Sequence, residues 1–137
     1  MKALFLCTGN SCRSQMAEGW AHALWGPEHH AASAGTRPQG MNPLTIKVMD
    51  EVGIDIRGQY SKSVDDLDLA DFDTIATVCD NARESCPVIP GKHTIHHSFP
   101  DPYEPGQDPN DEAVLETYRM VRDAIRPWVS QLVANSE

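Results

Sequence analysis

Apolar residues follow two spacings along the chain, and the switches between them divide it into strands and helices. Ala3-Leu4-Phe5-Leu6 is a continuous apolar run of the kind that forms a buried strand. From Ser14 to Leu24 the apolar positions fall at 16, 17, 20, 23 and 24, which is the spacing of one helical face. His29 to Gly35 predicts a second short strand ending in a glycine turn, and Thr36 to Met41, with Pro38 and Gly40, a loop. Asn42-Pro43 opens a helix with proline in its first turn. Leu44, Ile46, Val48, Met49 and Val52 form its buried face, and Gly53 stops it. Ile54 to Arg57 is short and extended. Ser63 starts a short helix, and the acidic run from Asp65 to Asp73 reads as a solvated helix face and turn. The β-branched run Phe72 to Val78 predicts a third buried strand, and the more polar Lys92 to Phe99 a fourth at an edge. After a loop from Pro100 to Asn110, Asp111 to Val133 carries a long helical pattern, which Pro127 is expected to kink or divide.

Strands alternating with helices predict an α/β fold in three layers. A four-stranded parallel sheet, joined by right-handed crossovers, would carry helices on both faces. Ligands of such sheets bind beyond the carboxyl ends of the strands. Cys7, Cys79 and the loop after Phe99 all fall at such ends. At 137 residues the chain reads as one domain, residues 1–137, large enough for a core of its own. A net charge of −9 argues against nucleic acid or anionic membrane as partner. No apolar run approaches the roughly 18 residues of a membrane span. The N-terminal apolar run is too short for an export signal and is used by the first strand. Four cysteines without such a signal point to a reducing compartment, hence to a soluble cytoplasmic enzyme, expected as a monomer.

The stretch Cys7-Thr8-Gly9-Asn10-Ser11-Cys12-Arg13-Ser14 joins the first strand to the first helix. A strand-to-helix loop turns successive backbone N–H groups toward one point, and the helix dipole adds to that field, so the loop suits a tetrahedral oxyanion. Gly9 and Asn10 best tolerate the left-handed angles of a tight cradle, and the planar fork of Arg13 can clamp two oxygens. A Cys7 thiolate facing that oxyanion is a nucleophile with its substrate in place. The same spacing occurs by chance with a structural thiol and a surface arginine; the strand before and the helix after favour chemistry.

Cys79 and Cys86 are too far apart for a zinc ribbon or finger, and the six histidines form no metal-binding pattern. Cys79 ends a central strand near the cradle, and Cys86 lies in a polar segment before Pro87. Cys79 can then attack a Cys7 adduct and Cys86 can attack Cys79 in turn, by thiolate attack on sulfur. Two inert buried thiols are the plainer alternative. Asp101, opening the loop after the fourth strand, is the candidate general acid, with Asp108 the weaker competitor.

Residues Cys7 to Ser14 resemble the phosphate loop of low-molecular-weight protein tyrosine phosphatases, and Asp101-Pro102-Tyr103 resembles that family's acid loop. Thr8, Ser11, Gln15 to Trp20, Ser33-Ala34-Gly35 and the Cys79/Cys86 pair further resemble the thioredoxin-coupled arsenate reductases that share this fold. The resemblance covers nearly the whole chain. It implies that Cys7 attacks arsenate held by Arg13 and the loop from Thr8 to Ser14, with the Ser14 hydroxyl supporting the thiolate and Asp101 protonating the departing oxygen. It also implies a Cys7–Cys79 disulfide, its exchange to Cys79–Cys86, and re-reduction by thioredoxin. Phosphate and sulfate would compete as oxyanions, no cofactor would stay bound, and Cys12 would have no required step.

The family often binds potassium beside the loop, which here implies Asn10, Glu18 and Ser33. The sequence departs from that pattern at Lys62, which stands where an aspartate is expected. An ammonium there would take the cation's place; an exposed lysine without a role is the alternative. Two other functions compete with arsenate reduction. A tyrosine or small aryl phosphatase would need only Cys7, Arg13 and Asp101. A non-enzymatic thiol sensor or arsenite-binding module would leave Arg13 and Asp101 idle.

Overall fold

The computed structural model describes residues 1–79 and 93–134. Four strands, β1 (Lys2–Cys7), β2 (His30–Gly35), β3 (Thr74–Thr77) and β4 (His93–His96), form one sheet in the order β2-β1-β3-β4, all parallel. Three α-helices accompany them: α1 (Arg13–Leu24), α2 (Pro43–Asp50) and α3 (Glu112–Ala134). β1 lies between two neighbours and is buried from Ala3 to Cys7, which is why its sequence is apolar on both faces. β4 is the exposed edge, in keeping with its polar composition.

Alternate residues of β1 face two layers. Ala3, Phe5 and Cys7 join the core shared with α1, α2 and α3. Leu4 and Leu6, with Ala34 and Ile75, pack under Val64, Leu67, Leu69 and Phe72. Those last residues belong to or border two short 3-10 turns, Val64–Asp66 and Leu69–Asp71, so the acidic run folds as turns with its carboxylates outward. Phe5 anchors the helical side, with the rings of Trp25 and Trp128 each 5.9 Å from its own. The indoles of Trp20 on α1 and of Trp25 just past its end also hold α3: Trp20 Nε1 donates to Arg122 O at 3.0 Å and Trp25 Nε1 to Val129 O at 2.9 Å. A buried indole N–H needs such a partner.

α2 begins as its sequence predicts. Asn42 Oδ1 accepts from Leu44 N at 2.8 Å, Pro43 fills the first turn, and Gly53, at φ 81°, turns the chain beyond the helix. α3 runs through Pro127 as one helix, so of the two expected effects the proline does not divide it. Pro127 and Asp123, whose carbonyl the proline deprives of its usual donor, both lie on the solvent side, where the lost bond costs least.

The chain moves from β1 to β2 on one side, then returns past β1 to β3 on the other. That reversal opens a crevice beyond the carboxyl end of β1. Cys7 is the last residue of that strand, paired in register with Gly35 of β2.

Candidate functional site

The loop from Thr8 to Cys12 closes over the end of β1 and leads into α1. Asn10 takes the left-handed conformation, at φ 47°. This brings its backbone N–H to within 3.2 Å of Cys7 Sγ. Its side chain has a fixed orientation: Oδ1 accepts from Lys62 N at 3.0 Å, so Nδ2 donates to Ser14 Oγ at 2.8 Å. Ser14 Oγ lies 2.9 Å from Cys7 Sγ. Since the serine oxygen already accepts from Asn10, its proton is free to be donated to the sulfur. Two donors therefore converge on Cys7 Sγ, the arrangement that suits an anionic sulfur.

The loop is held from outside as tightly as from within. Arg37 N donates to Thr8 O at 2.9 Å and Gln39 N to Gly9 O at 3.0 Å. Gln15 Nε2 bridges Asn10 O and Tyr60 O, and Gln59 Nε2 in turn holds Gln15 Oε1 at 2.9 Å. A Cβ at Gly35 would stand 2.5 Å from Thr8 O, so β2 can reach the loop only with glycine at that position. Cys12, the residue before α1, offers no side-chain cap, and the first turn carries no acidic residue. The Cys12 side chain therefore does not compete with an anion for the N–H groups of that helix end.

A cleft of about 370 Å³ opens above the loop, lined among others by Cys7, Thr8, Gly9, Ser11, Arg13 and Asp101. Arg13 is buried to 4 % exposure; Nη1 donates to Phe99 O at 3.2 Å, and Nη2 lies 3.6 Å from Asp101 Oδ2. The guanidinium thus ties the phosphate loop to the start of the acid loop. Asp101 Oδ1 accepts from Tyr103 N at 3.0 Å, which turns the chain so that Tyr103 also borders the cleft. Volume, positive charge and a paired thiol together make room for one tetrahedral oxyanion against Cys7 Sγ.

Of the remaining predicted residues, Asn10 and Ser14 stand behind the loop, fully buried. Cys12 and Cys7 are free thiols. Burial pushes the Cys12 thiol up to about 11, so it stays protonated beside the cleft. Cys79 is completely buried two residues beyond β3 and does not line the cleft. It follows Val78, whose N–H donates to Leu6 O at 3.1 Å, beside the end of β1. Cys86 lies outside the described residues. Behind the loop, Glu18 Oε1 accepts from Ser33 Oγ at 2.7 Å and lies 3.9 Å from Lys62 Nζ, which donates to Tyr60 O at 3.2 Å. Burial pulls the Lys62 ammonium below the usual lysine range, and Glu18 pulls it back up. Sequence reasoning missed the supporting amides of Gln39 and Gln59, which sit in polar stretches that resemble ordinary loops.

A strand-to-helix oxyanion loop with cysteine at its start, arginine at its end and an aspartate across the cleft defines a cysteine-based phosphatase-like site. The sequence matches the low molecular weight phosphotyrosine protein phosphatase family over residues 2–137, and the chain belongs to that family, grouping with its arsenate reductases. It is 44% identical over 122 residues to an arsenate reductase of Halalkalibacterium halodurans, covering 88% of this chain and 86% of that one. It is 43% identical, with the same coverage, to an arsenate reductase of Bacillus subtilis. A solved arsenate reductase in the phosphate binding state superposes with a TM-score of 0.81 at 32% identity, covering 98% of this chain and 97% of the other. A low molecular weight protein tyrosine phosphatase from T. tengcongensis gives 0.77 at 26% identity, covering 98% and 99%.

Proposed function

We propose that the chain reduces arsenate to arsenite by a three-thiol relay. The Cys7 thiolate attacks arsenate seated in the cleft, forming a sulfur–arsenic bond as one oxygen leaves as water, protonated by Asp101. Cys79 then attacks Cys7 Sγ. A Cys7–Cys79 disulfide forms, the sulfur–arsenic bond breaks, and its electron pair leaves on arsenic, which departs as arsenite. The two thiols supply the two electrons that arsenic gains. Cys86 next attacks Cys79, freeing Cys7 and leaving a Cys79–Cys86 disulfide for thioredoxin to reduce. Phosphate and sulfate, with the same tetrahedral shape, would compete for the loop from Thr8 to Ser14, and the enzyme would act as a cytoplasmic monomer.

The observation that carries this reading beyond phosphoryl transfer is the second cysteine beside the end of β1. A phosphatase of this kind needs only Cys7, Arg13 and Asp101. Tyr103, bordering the cleft and 47 % exposed, favours a residual activity on aryl phosphates, since its ring can stack on theirs. Arsenate-dependent NADPH consumption with thioredoxin and thioredoxin reductase tests the two together. The expected result is loss of that consumption in Cys79→Ser and Cys86→Ser, with any aryl phosphate hydrolysis retained. Reduction that survives both substitutions would overturn the relay.

The residues behind the loop do not fit a potassium ion. Asn10 Oδ1 is taken by Lys62 N, and Glu18 Oε1 by Ser33 and the Lys62 ammonium. Lys62 therefore serves as a built-in cation, and turnover should be equal in sodium and potassium. Marked activation by potassium would contradict this.

A further inference from the structure

A line of polar groups, buried at Asn42 and Tyr118 and half-buried at Gln107, runs beneath the acid loop, and none of the steps above uses it. It starts at Tyr118, which is fully buried on α3 although its place in the helical pattern is one that apolar residues usually fill. Pro102 O can only accept, so Gln107 reaches it through Nε2, at 2.7 Å. The amide thereby turns Oε1 toward Tyr118, whose hydroxyl donates to it at 2.9 Å. The same hydroxyl oxygen accepts from Asn42 Nδ2 at 3.1 Å. Asn42 cannot flip, because its Oδ1 caps α2 through Leu44 N. Every donor in the series thus points one way, from Asn42 through Tyr118 and Gln107 to Pro102. Burial pushes the Tyr118 hydroxyl up to about 12, so it keeps the proton it must donate.

The two ends of this line are the two walls of the cleft. Asn42 sits between Met41 and Pro43, which line one side, and Pro102 follows Asp101, which lines the other. Residues 103 to 106 are exposed, so the acid loop has little packing of its own to hold it. We propose that Tyr118, acting through Gln107, is a positioning residue that sets the Asp101 carboxyl over the oxyanion. The proposal rests on the reading of Asp101 as general acid.

The test is a double-mutant cycle on the full chain. Single-turnover arsenite release and phosphate affinity are measured for Tyr118→Phe and for Gln107→Ala, each in the native and the Asp101→Asn backgrounds. Gln107 is half-exposed, so its variant folds even if the loss of the buried hydroxyl does not prove tolerable. With Asp101 present, each single change should slow release about tenfold while phosphate affinity stays within about twofold. In the Asp101→Asn background, neither should slow it further. Equal slowing in both backgrounds, or a parallel loss of phosphate affinity, would mean a structural role only and overturn the proposal. An Asp101→Asn variant that keeps the native rate would instead remove the general acid, and positioning with it.

Discussion

The two loops that form the cleft are built in opposite ways. The phosphate loop is buried and claimed from every side: its carbonyls accept from residues 37 and 39, its asparagine is held by Lys62, and its thiol receives two donors. The acid loop is exposed beyond Pro102 and hangs on Arg13, an internal turn at Tyr103 and the Gln107 bond. The difference suits the tasks proposed for them. Charge stabilisation works only if the donors are already in place, because dipoles that must reorganise return part of the gain. An acid that must let an oxyanion in and arsenite out needs a loop with fewer bonds to break.

The comparison breaks most severely at Gly35. A methyl there meets the Thr8 carbonyl, a backbone atom that cannot turn aside. Gly35→Ala should displace the loop and lower kcat/KM for arsenate by about 10²-fold, with a matching loss of phosphate affinity. That joint loss contrasts with the separated effects expected at Tyr118, and a Gly35→Ala enzyme of native affinity would show that the loop is not held rigidly. A middle-sized effect is expected at Lys62. Lys62→Met removes the ammonium but keeps the backbone N–H that holds Asn10, so Glu18 is left with Ser33 on Oε1 and His22, 3.9 Å from Oε2. Turnover should fall severalfold and become potassium-dependent, as a direct comparison of sodium and potassium buffers would reveal. Unchanged rates in both would make the lysine a bystander.

The smallest effect lies far from both loops and should leave them alone. Glu51 joins α2 to α3 by accepting from Arg119 at 2.7 Å and from Arg122 at 3.0 Å. These bonds, chiefly that from Arg119, hold its carboxyl below the usual glutamate range. A depressed value means stabilisation that is present above the ordinary pKa of about 4.3 and lost as the pH falls through the folded value. Glu51→Gln should therefore lower Tm slightly at pH 7, with the gap to the native protein closing in acid and turnover unchanged. A gap that widens on acidification would have the wrong sign.

The phosphate loop was legible because its chemistry is contiguous. Cys7, the glycine and asparagine, and Arg13 lie within seven residues, bounded by a strand and a helix that the apolar spacing reveals. Asp101 could be read from its place after the fourth strand, and the sheet from the alternation of periods. The supporting amide of Gln59 could not, since it holds Gln15 across 44 residues, a partner that only the fold brings near. Tyr118 was hidden for another reason: it occupies a position in the apolar stripe of α3, where only its hydroxyl distinguishes it from core. Pro127 does not divide α3 because propensity describes an isolated helix, whereas here the proline lies on the exposed face of a helix held by its packed side.

In the proposed relay the electrons that reach arsenic come from Cys7 and Cys79 as a pair. This is tested most directly by a single turnover of Cys86→Ser with arsenate and no external reductant, followed by quenching and peptide mapping. The relay predicts one equivalent of arsenite and a peptide in which Cys7 is joined to Cys79. Arsenite absent and no peptide joining Cys7 to Cys79 would contradict it, and the cleft would then belong to a phosphatase.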